Sequence, residues 1–369
     1  MAVVSLTVRD FRSYERATVR LGAGLTVVHG ANGAGKTNLL EALYVGCTGR
    51  SCRTANDREL VRFGAAAARV VVTCDSPAGA HEFAVGLAPG EPKRMTADGA
   101  PVERLLDAPF RPLVSVFLPD RLDLVKGPPA GRRAHVDQVV AASWPARAAI
   151  RRDYAHVLAQ RNALIGRMRA RGRRSDAALP AWDAQLARLA IALIATRRDA
   201  IAMLAPRCAE MSAHLGLEGE IAFSYQPRSR ADDPAALVAE LEARLESDLD
   251  RGFTGHGPHR DELSITLNGR ELRTFGSQGQ QRVALLALLL AEREAIGERR
   301  GVRPLALLDD VMSELDASRR GRLVELIRTG GGQTLISTTE VDHVPGATDA
   351  GVTRIAVAGG SLLQEAAAA

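Results

Sequence analysis

Residues 24–46 read GLTVVHGANGAGKTNLLEALYVG, and the fold turns on them. The run 25–29 is rich in β-formers, a glycine-rich turn follows, and the segment after it suits a helix. Inside the turn, Gly30-Ala31-Asn32-Gly33-Ala34-Gly35-Lys36-Thr37 fits the spacing G-x-x-x-x-G-K-[ST], in the strand-to-helix context that this pattern requires. With this composition a match arises by accident on the order of a few times in a thousand, so a casual glycine turn is a poor alternative. The residue types have a physical reason. Glycines let successive backbone N–H groups converge on phosphate, and the helix start adds its positive end. Lys36 offers a compact charge to the β- and γ-phosphates of ATP, and Thr37 offers a hydroxyl to Mg2+. Lys36, Lys93 and Lys126 are the only lysines among 48 basic residues. A planar guanidinium cannot replace the ammonium inside such a loop.

Two further segments belong to the same chemistry. Residues 305–310, LALLDD, are apolar up to Asp309 and Asp310. Alone, such a run is as often a buried strand with a polar exit; after a phosphate loop it reads as Walker B. Asp309 then holds Mg2+ directly or through water, and Asp310 orients the attacking water as general base. Residues 275–282, FGSQGQQR, lead into the apolar VALLALLLA. Ser277 as N-cap and Gln280 three positions on can satisfy free amides, and a capped helix start also suits a second phosphate site.

The chain has 369 residues, a 46% hydrophobic share and a formal charge of +5, which permits contact with nucleic acid without demanding it. Strands expected at 3–8, 69–74, 82–87 and 113–117 make the first 125 residues an α/β lobe with a small antiparallel sheet. After Gly127-Pro128-Pro129 the apolar spacing becomes helical over 144–168 and 182–204, with the polar RARGRRSD between them, giving an expected hairpin of two helices of a few turns each. A third helix is expected over 235–249, a hairpin tip at Asn268-Gly269, a long helix over 280–294, another near 319–328, and a buried strand at 333–339. The end of the chain reads as a small-residue tail. The expected class is therefore α/β: a P-loop ATPase head with a mixed sheet, in lobes 1–125 and 251–369, split by a helical arm at 126–250.

Cys47, Cys52, Cys74 and Cys208 form no CxxC pair, so free thiols in a reducing cytosol are expected. The N-terminal apolar run breaks at Arg9 and Asp10, too soon for a signal peptide. The longest apolar run, 283–291, falls far short of the ~18 residues a membrane span needs, so a cytoplasmic protein with no membrane partner is expected. His256 and His259 flank a Gly-Pro turn and read as structural rather than metal-binding. Arginines at 147–152 and 167–174 read either as solvated helix faces or as phosphate contacts; lacking interleaved aromatics, they suit nucleic-acid backbone rather than bases in the second case.

Order and spacing together carry a resemblance. LTVRDFRSY, the phosphate loop with its helix, DLVKGPPAGRR, GHGPHRDEL, FGSQGQQR and LLDDVMSELD closely resemble the RecF family of bacterial DNA replication and repair ATPases, over almost the whole chain. The resemblance implies an ABC-type head similar to those of Rad50 and the structural-maintenance-of-chromosomes proteins, with a short arm in place of a long coiled coil. It implies that Asn38, Arg12 and Ser13 join residues 30–37 near ATP. Ser277, Gln278, Gly279 and Gln280 become the signature that completes a partner subunit's site, Ser313 and Asp316 mark the D-loop, and Thr339 takes a switch position. The implied activity is ATP-driven homodimerisation on double-stranded DNA near single-strand gaps and junctions. Hydrolysis releases the DNA, and RecO and RecR share in loading recombinase. The family's Pro-Glu-Asp is here Pro119-Asp120-Arg121, which leaves a Q-loop role for Asp120 open. Cys52 in GRSCRT reads as a packing change. A transporter motor and a Rad50-type scaffold are the alternatives; the first is disfavoured by the long helical insertion, the second by the short arm and the missing CxxC.

Overall fold

The strand Leu25–His29 lies in the middle of a six-stranded sheet ordered Ser361–Glu365, Thr353–Ala358, Leu25–His29, Thr334–Thr338, Leu305–Leu308, Val114–Phe117. Every pair is parallel except the Ser361–Glu365 edge. LALL and TLIST are buried at every position, as parallel strands covered on both faces must be. Register places Leu307 beside Leu335 and Ile336 beside Val27, so the phosphate loop and Asp309 leave the sheet at its same, C-terminal edge.

A second sheet of six strands is antiparallel, in the order Tyr14–Arg20, Ala2–Phe11, Ala68–Ser76, Gly79–Leu87, Arg94–Ala97, Ala100–Pro101. In Ala68–Ser76 the alternate residues Val70, Val72 and Cys74 turn into the core. The helix Lys36–Thr48 packs into one apolar cluster with both sheets, Leu39, Leu40 and Leu43 meeting residues such as Val72 and Leu335. Each of these fully buried leucines contributes about 2 kcal/mol of burial free energy. Gly46 faces Val72 so closely that a Cβ would overlap the valine methyl.

The computed structural model describes residues 1–365, with side chains for all of these but Pro119, Asp120 and Glu365. The question of Asp120 as a Q-loop residue therefore lies outside the described side chains. Two compact units emerge: Met1–Arg121 with His214–Gly216 and the chain from Ile296, which holds both sheets above, and Leu122–Ala213 with Leu217–Ala295.

The second unit is helical, with Pro129–Ser143, Ala148–Ala170 and most of Leu179–His214, plus a three-stranded sheet of Arg270–Glu271, Glu262–Leu267 and Ile221–Gln226. Buried ion pairs hold it. Arg161, 0% exposed, donates to Asp183 at 2.6 Å, to Asp248 at 2.8 Å and to Thr254 at 2.7 Å. Arg197 grips Asp137 in a two-pronged pair at 2.8 and 2.9 Å and donates to Pro258 O. His256 pairs with Glu240 at 2.5 Å, and His259 meets Tyr154 and Thr254 O. Burial pulls the His259 pKa down, so a neutral ring is favoured.

Several elements differ from the sequence-based expectation. The Leu179–His214 helix runs 36 residues, through Pro206, instead of a few turns. The helix expected over 235–249 is two, Pro234–Glu242 and Leu245–Arg251. Pro129–Ser143 and Ile221–Gln226 were not anticipated, and Ser361–Glu365 is an edge strand where a tail was expected. Residues 251–295 group with the arm instead of a C-terminal lobe, because Glu262–Leu267 pairs along its length with Ile221–Gln226. No described helix is long and apolar enough to cross a membrane.

Candidate nucleotide site

Gly30, Gly33 and Gly35 have φ of 152, 77 and 117°, a region that disfavours side chains. At Gly30 a Cβ would strike the Val357 carbonyl on the adjacent strand. At Gly35 it would stand 3.0 Å from Ser13 Oγ and Tyr14 Oη. The loop is tied down by Tyr14 Oη donating to Gly35 O at 2.9 Å and by Gly360 N–H donating to Ala34 O at 3.3 Å. Lys36 Nζ curls over the loop and donates to Gly30 O at 2.7 Å and Ala31 O at 3.0 Å. Burial lowers its pKa, opposed by the charges of Asp310 and Asp309.

Thr37 Oγ1 donates to Asp309 Oδ2 at 2.8 Å, and Ser337 Oγ donates to Asp309 Oδ1 at 2.6 Å. Asp309 is 5% exposed. Burial drives its pKa up, and the two hydroxyl bonds work against that rise. Asp310 sits at φ 49°, its N–H bonded to Ser337 Oγ at 2.9 Å, while its buried Oδ1 has no hydrogen-bond partner. A non-glycine residue held at positive φ stores strain, and such strain gathers at working sites. Mg2+ takes oxygen ligands, usually one or two from protein and the rest from water and nucleotide phosphates. The Thr37 hydroxyl and Asp309 carboxylate supply that donor set, and no cluster of three or more His, Cys, Asp or Glu competes among the described residues.

One turn along the helix, Glu41 is 1% exposed yet ionised. Burial would raise its pKa, but bonds from Arg12 and Ser51 and the charges of Arg12 and Arg53 outweigh burial and hold it low. Arg12 makes a two-pronged pair with it, both distances 2.9 Å, with Ser51 at 2.5 Å and Arg53 at 3.1 Å. Asn38 joins the group, donating to Ser13 Oγ at 3.0 Å and accepting from Arg53 at 3.2 Å.

Ser277 and Gln280 form a reciprocal cap at the start of Gln278–Arg300, with Ser277 N–H to Gln280 Oε1 at 2.8 Å and Gln280 N–H to Ser277 Oγ at 3.2 Å. Gln281 donates to Leu272 O and Gly276 O, both at 3.0 Å, which fixes the turn before it. Ser277 and Gln278 are exposed, Gly279 half-buried. Ser313 Oγ donates to Asp310 O at 2.8 Å, and Asp316 caps the helix Ala317–Gly330 through Arg319 N–H at 2.9 Å. Thr339 is half-buried just past the Thr334–Thr338 strand.

The profile of a family described as an AAA domain matches residues 5–79. The DNA replication and repair protein RecF of Anaeromyxobacter sp. (strain Fw109-5) is 41% identical, over 92% of this chain and 93% of that relative. That of Myxococcus xanthus (strain DK1622) is 38% identical, over 94% and 93%. The chain belongs to the RecF family. A solved structure of the recombination mediator protein RecF-ATP in the RecFOR pathway matches it with TM-score 0.87 and 25% identity, over 99% of this chain and 98% of that one. An Smc head bound to the C-winged helix domain of ScpA matches at TM-score 0.62 and 16% identity, over 99% and 98%, a likeness of fold alone. This RecF-family chain is thus an ABC-type ATPase of DNA replication and repair.

Against the sequence-based reading, the structure brings together residues 30–38, Ser13, Asp309 and Asp310. Arg12 lies beside the same helix, but its guanidinium is engaged by Glu41. Ser277 to Gly279 belong to the other unit. Sequence reasoning missed Glu41, Ser51, Arg53 and Ser337. Ser337 carries no local signal, since only the pairing of Leu308 with Ile336 sets it beside the RecF-family carboxylates. Arg53 is legible only as part of GRSCRT, a segment whose one departure from the family is Cys52.

Proposed function

We propose that residues 30–37 cradle the phosphates of ATP, with Thr37 and Asp309 holding Mg2+ and Asp310 orienting the attacking water. Mg2+, when bound, neutralises charge developing on the phosphate oxygens. Lys36 exchanges the Gly30 and Ala31 carbonyls for phosphate oxygens, and Asn38, Ser13 and Arg12 line the approach. The observation that carries this reading is the Thr37–Asp309 contact beside an Asp310 oxygen that is buried and without a partner. Such an oxygen is free to accept a proton from water.

Ser277, Gln278, Gly279 and Gln280 complete the site of a second copy, with Ser313, Asp316 and Thr339 at the junction. The assembled homodimer clamps double-stranded DNA near single-strand gaps and junctions, chiefly through its backbone, and slow hydrolysis releases it in the cytoplasm, in concert with RecO and RecR. The similarity to DNA replication and repair proteins, and to a recombination mediator solved with ATP and assigned to the RecFOR pathway, supports this reading. Mixing two inactive variants, Lys36→Ala and Ser277→Arg, tests it. Pairs of unlike subunits hold one intact composite site, so turnover is expected to return on mixing. No return, together with wild-type hydrolysis per subunit that is independent of dilution, overturns the shared-site reading.

A further inference from the structure

The helical unit carries a cleft of 440 Å³ lined by Arg228, Arg230, Arg244 and Arg251, with Asp248 and His256 in its wall. The arginines come from two neighbouring stretches on either side of the helix Pro234–Glu242: the loop after the strand Ile221–Gln226, and the helix Leu245–Arg251 with the residue before it. The side chains of Arg228, Arg230 and Arg251 make no hydrogen bond or ion pair with another described residue, and Arg244 spends one N–H on Glu240 O at 3.2 Å. The lining carboxylate, Asp248, is already committed to Arg161 and to the Gly255 N–H, both at 2.8 Å. His256 is held by Glu240. The cleft therefore keeps most of its positive charge.

Its walls are also fixed in advance. Arg228 N–H donates to Asp261 at 2.7 Å and Arg230 N–H to Glu240 at 3.2 Å, so buried or hydrogen-bonded carboxylates hold the backbone from which these guanidinium groups project. A second open cleft on this unit, at Arg152 and Arg188, differs: Asp153 stands 3.4 Å from Arg152 and supplies a counter-charge.

We propose that the four-arginine cleft is a phosphodiester site that grips the backbone of duplex DNA without reading its bases. Guanidinium forks match phosphate oxygens in pairs. No Phe, Tyr or Trp lines the cleft, and its one imidazole, His256, is held by Glu240, so it offers no broad platform for base stacking. Its lining is also poor in the apolar anchors on which protein partners depend, Pro227 excepted, which favours nucleic acid over an acidic peptide. The inference rests on the DNA-binding reading given above.

The test uses the full chain and two double variants, R230A/R251A and R230K/R251K, with duplex affinity in ATP measured by fluorescence anisotropy between about 50 and 200 mM salt. The alanine pair is expected to bind more weakly and to lose about 0.9 from the log–log salt slope for each phosphate contact removed. The lysine pair, which keeps the charge, is expected to retain the slope. DNA-free ATP turnover and thermal melting should match wild type in both. A wild type that fails to bind duplex overturns the DNA reading and this site with it. A wild type that binds while the alanine pair matches it in affinity and slope overturns the site alone. So does displacement of duplex from wild type by inorganic phosphate at matched ionic strength, which would mark a pocket for a free anion.

Discussion

Asp309 accepts two hydroxyl hydrogen bonds, while Asp310 next to it keeps a buried oxygen without one. Position along the strand exit thus gives the two carboxylates different surroundings, as the proposed division between holding metal and orienting water requires. Asp310→Asn preserves shape and removes the proton acceptor. Turnover is expected to fall by about 10²–10⁴ in single-turnover kinetics while ATP-dependent association persists. Glu41 makes a second residue-scale case. Its pKa lies below the usual 4.5, so its stabilising charge is present above that value and lost as pH falls through the lower folded value. Glu41→Gln is expected to cost about 2 kcal/mol at neutral pH, less than a fully buried pair because Arg12 and Arg53 are partly exposed. Urea titrations should show the gap between variant and wild type widest at neutral pH and narrowing in acid below the Glu41 transition.

Helix starts and buried pairs act at the scale of elements. The Ser277–Gln280 cap satisfies two amides that the first turn of Gln278–Arg300 leaves open. Ser277→Ala should cost about 1 kcal/mol of stability in thermal melts, apart from any loss of turnover. Arg161 joins the helices Ala148–Ala170 and Leu179–His214 to the helix Leu245–Arg251 through Asp183 and Asp248. Arg161→Met would leave two buried carboxylates unpaired and is expected to cost about 3–5 kcal/mol, read as a lower urea midpoint. Helices with sustained spacing were legible at this scale, and the phosphate-loop strand and helix lay where the glycines put them. The strand Ile221–Gln226 was not, because Phe223 and Tyr225 gain meaning only when paired with Ile265 and Leu263.

At the scale of the whole molecule, ligand binding couples to stability. ATP with Mg2+ at about 100 times its dissociation constant should add about 2.7 kcal/mol, visible as a rise in melting temperature that Lys36→Ala removes. If the proposed composite site needs two copies, the rise depends on protein concentration in wild type and loses that dependence in Ser277→Arg. Affinity for duplex DNA should fall steeply with salt, as contacts to backbone phosphate require.

The sequence alone determined the glycine-rich loop, the two carboxylates at a strand exit, the capped turn at Ser277 and their order, because each is a local pattern of backbone freedom and side-chain type. Those patterns were enough to mark the family and the head fold. Tertiary structure alone decided that Ser337 meets Asp309, that Glu41 gathers Arg12 and Arg53, that residues 251–295 join the arm, and that four arginines share one cleft. These are choices among separate elements, and they follow from strand order, burial and how neighbouring turns and helices pack, which no local spacing encodes.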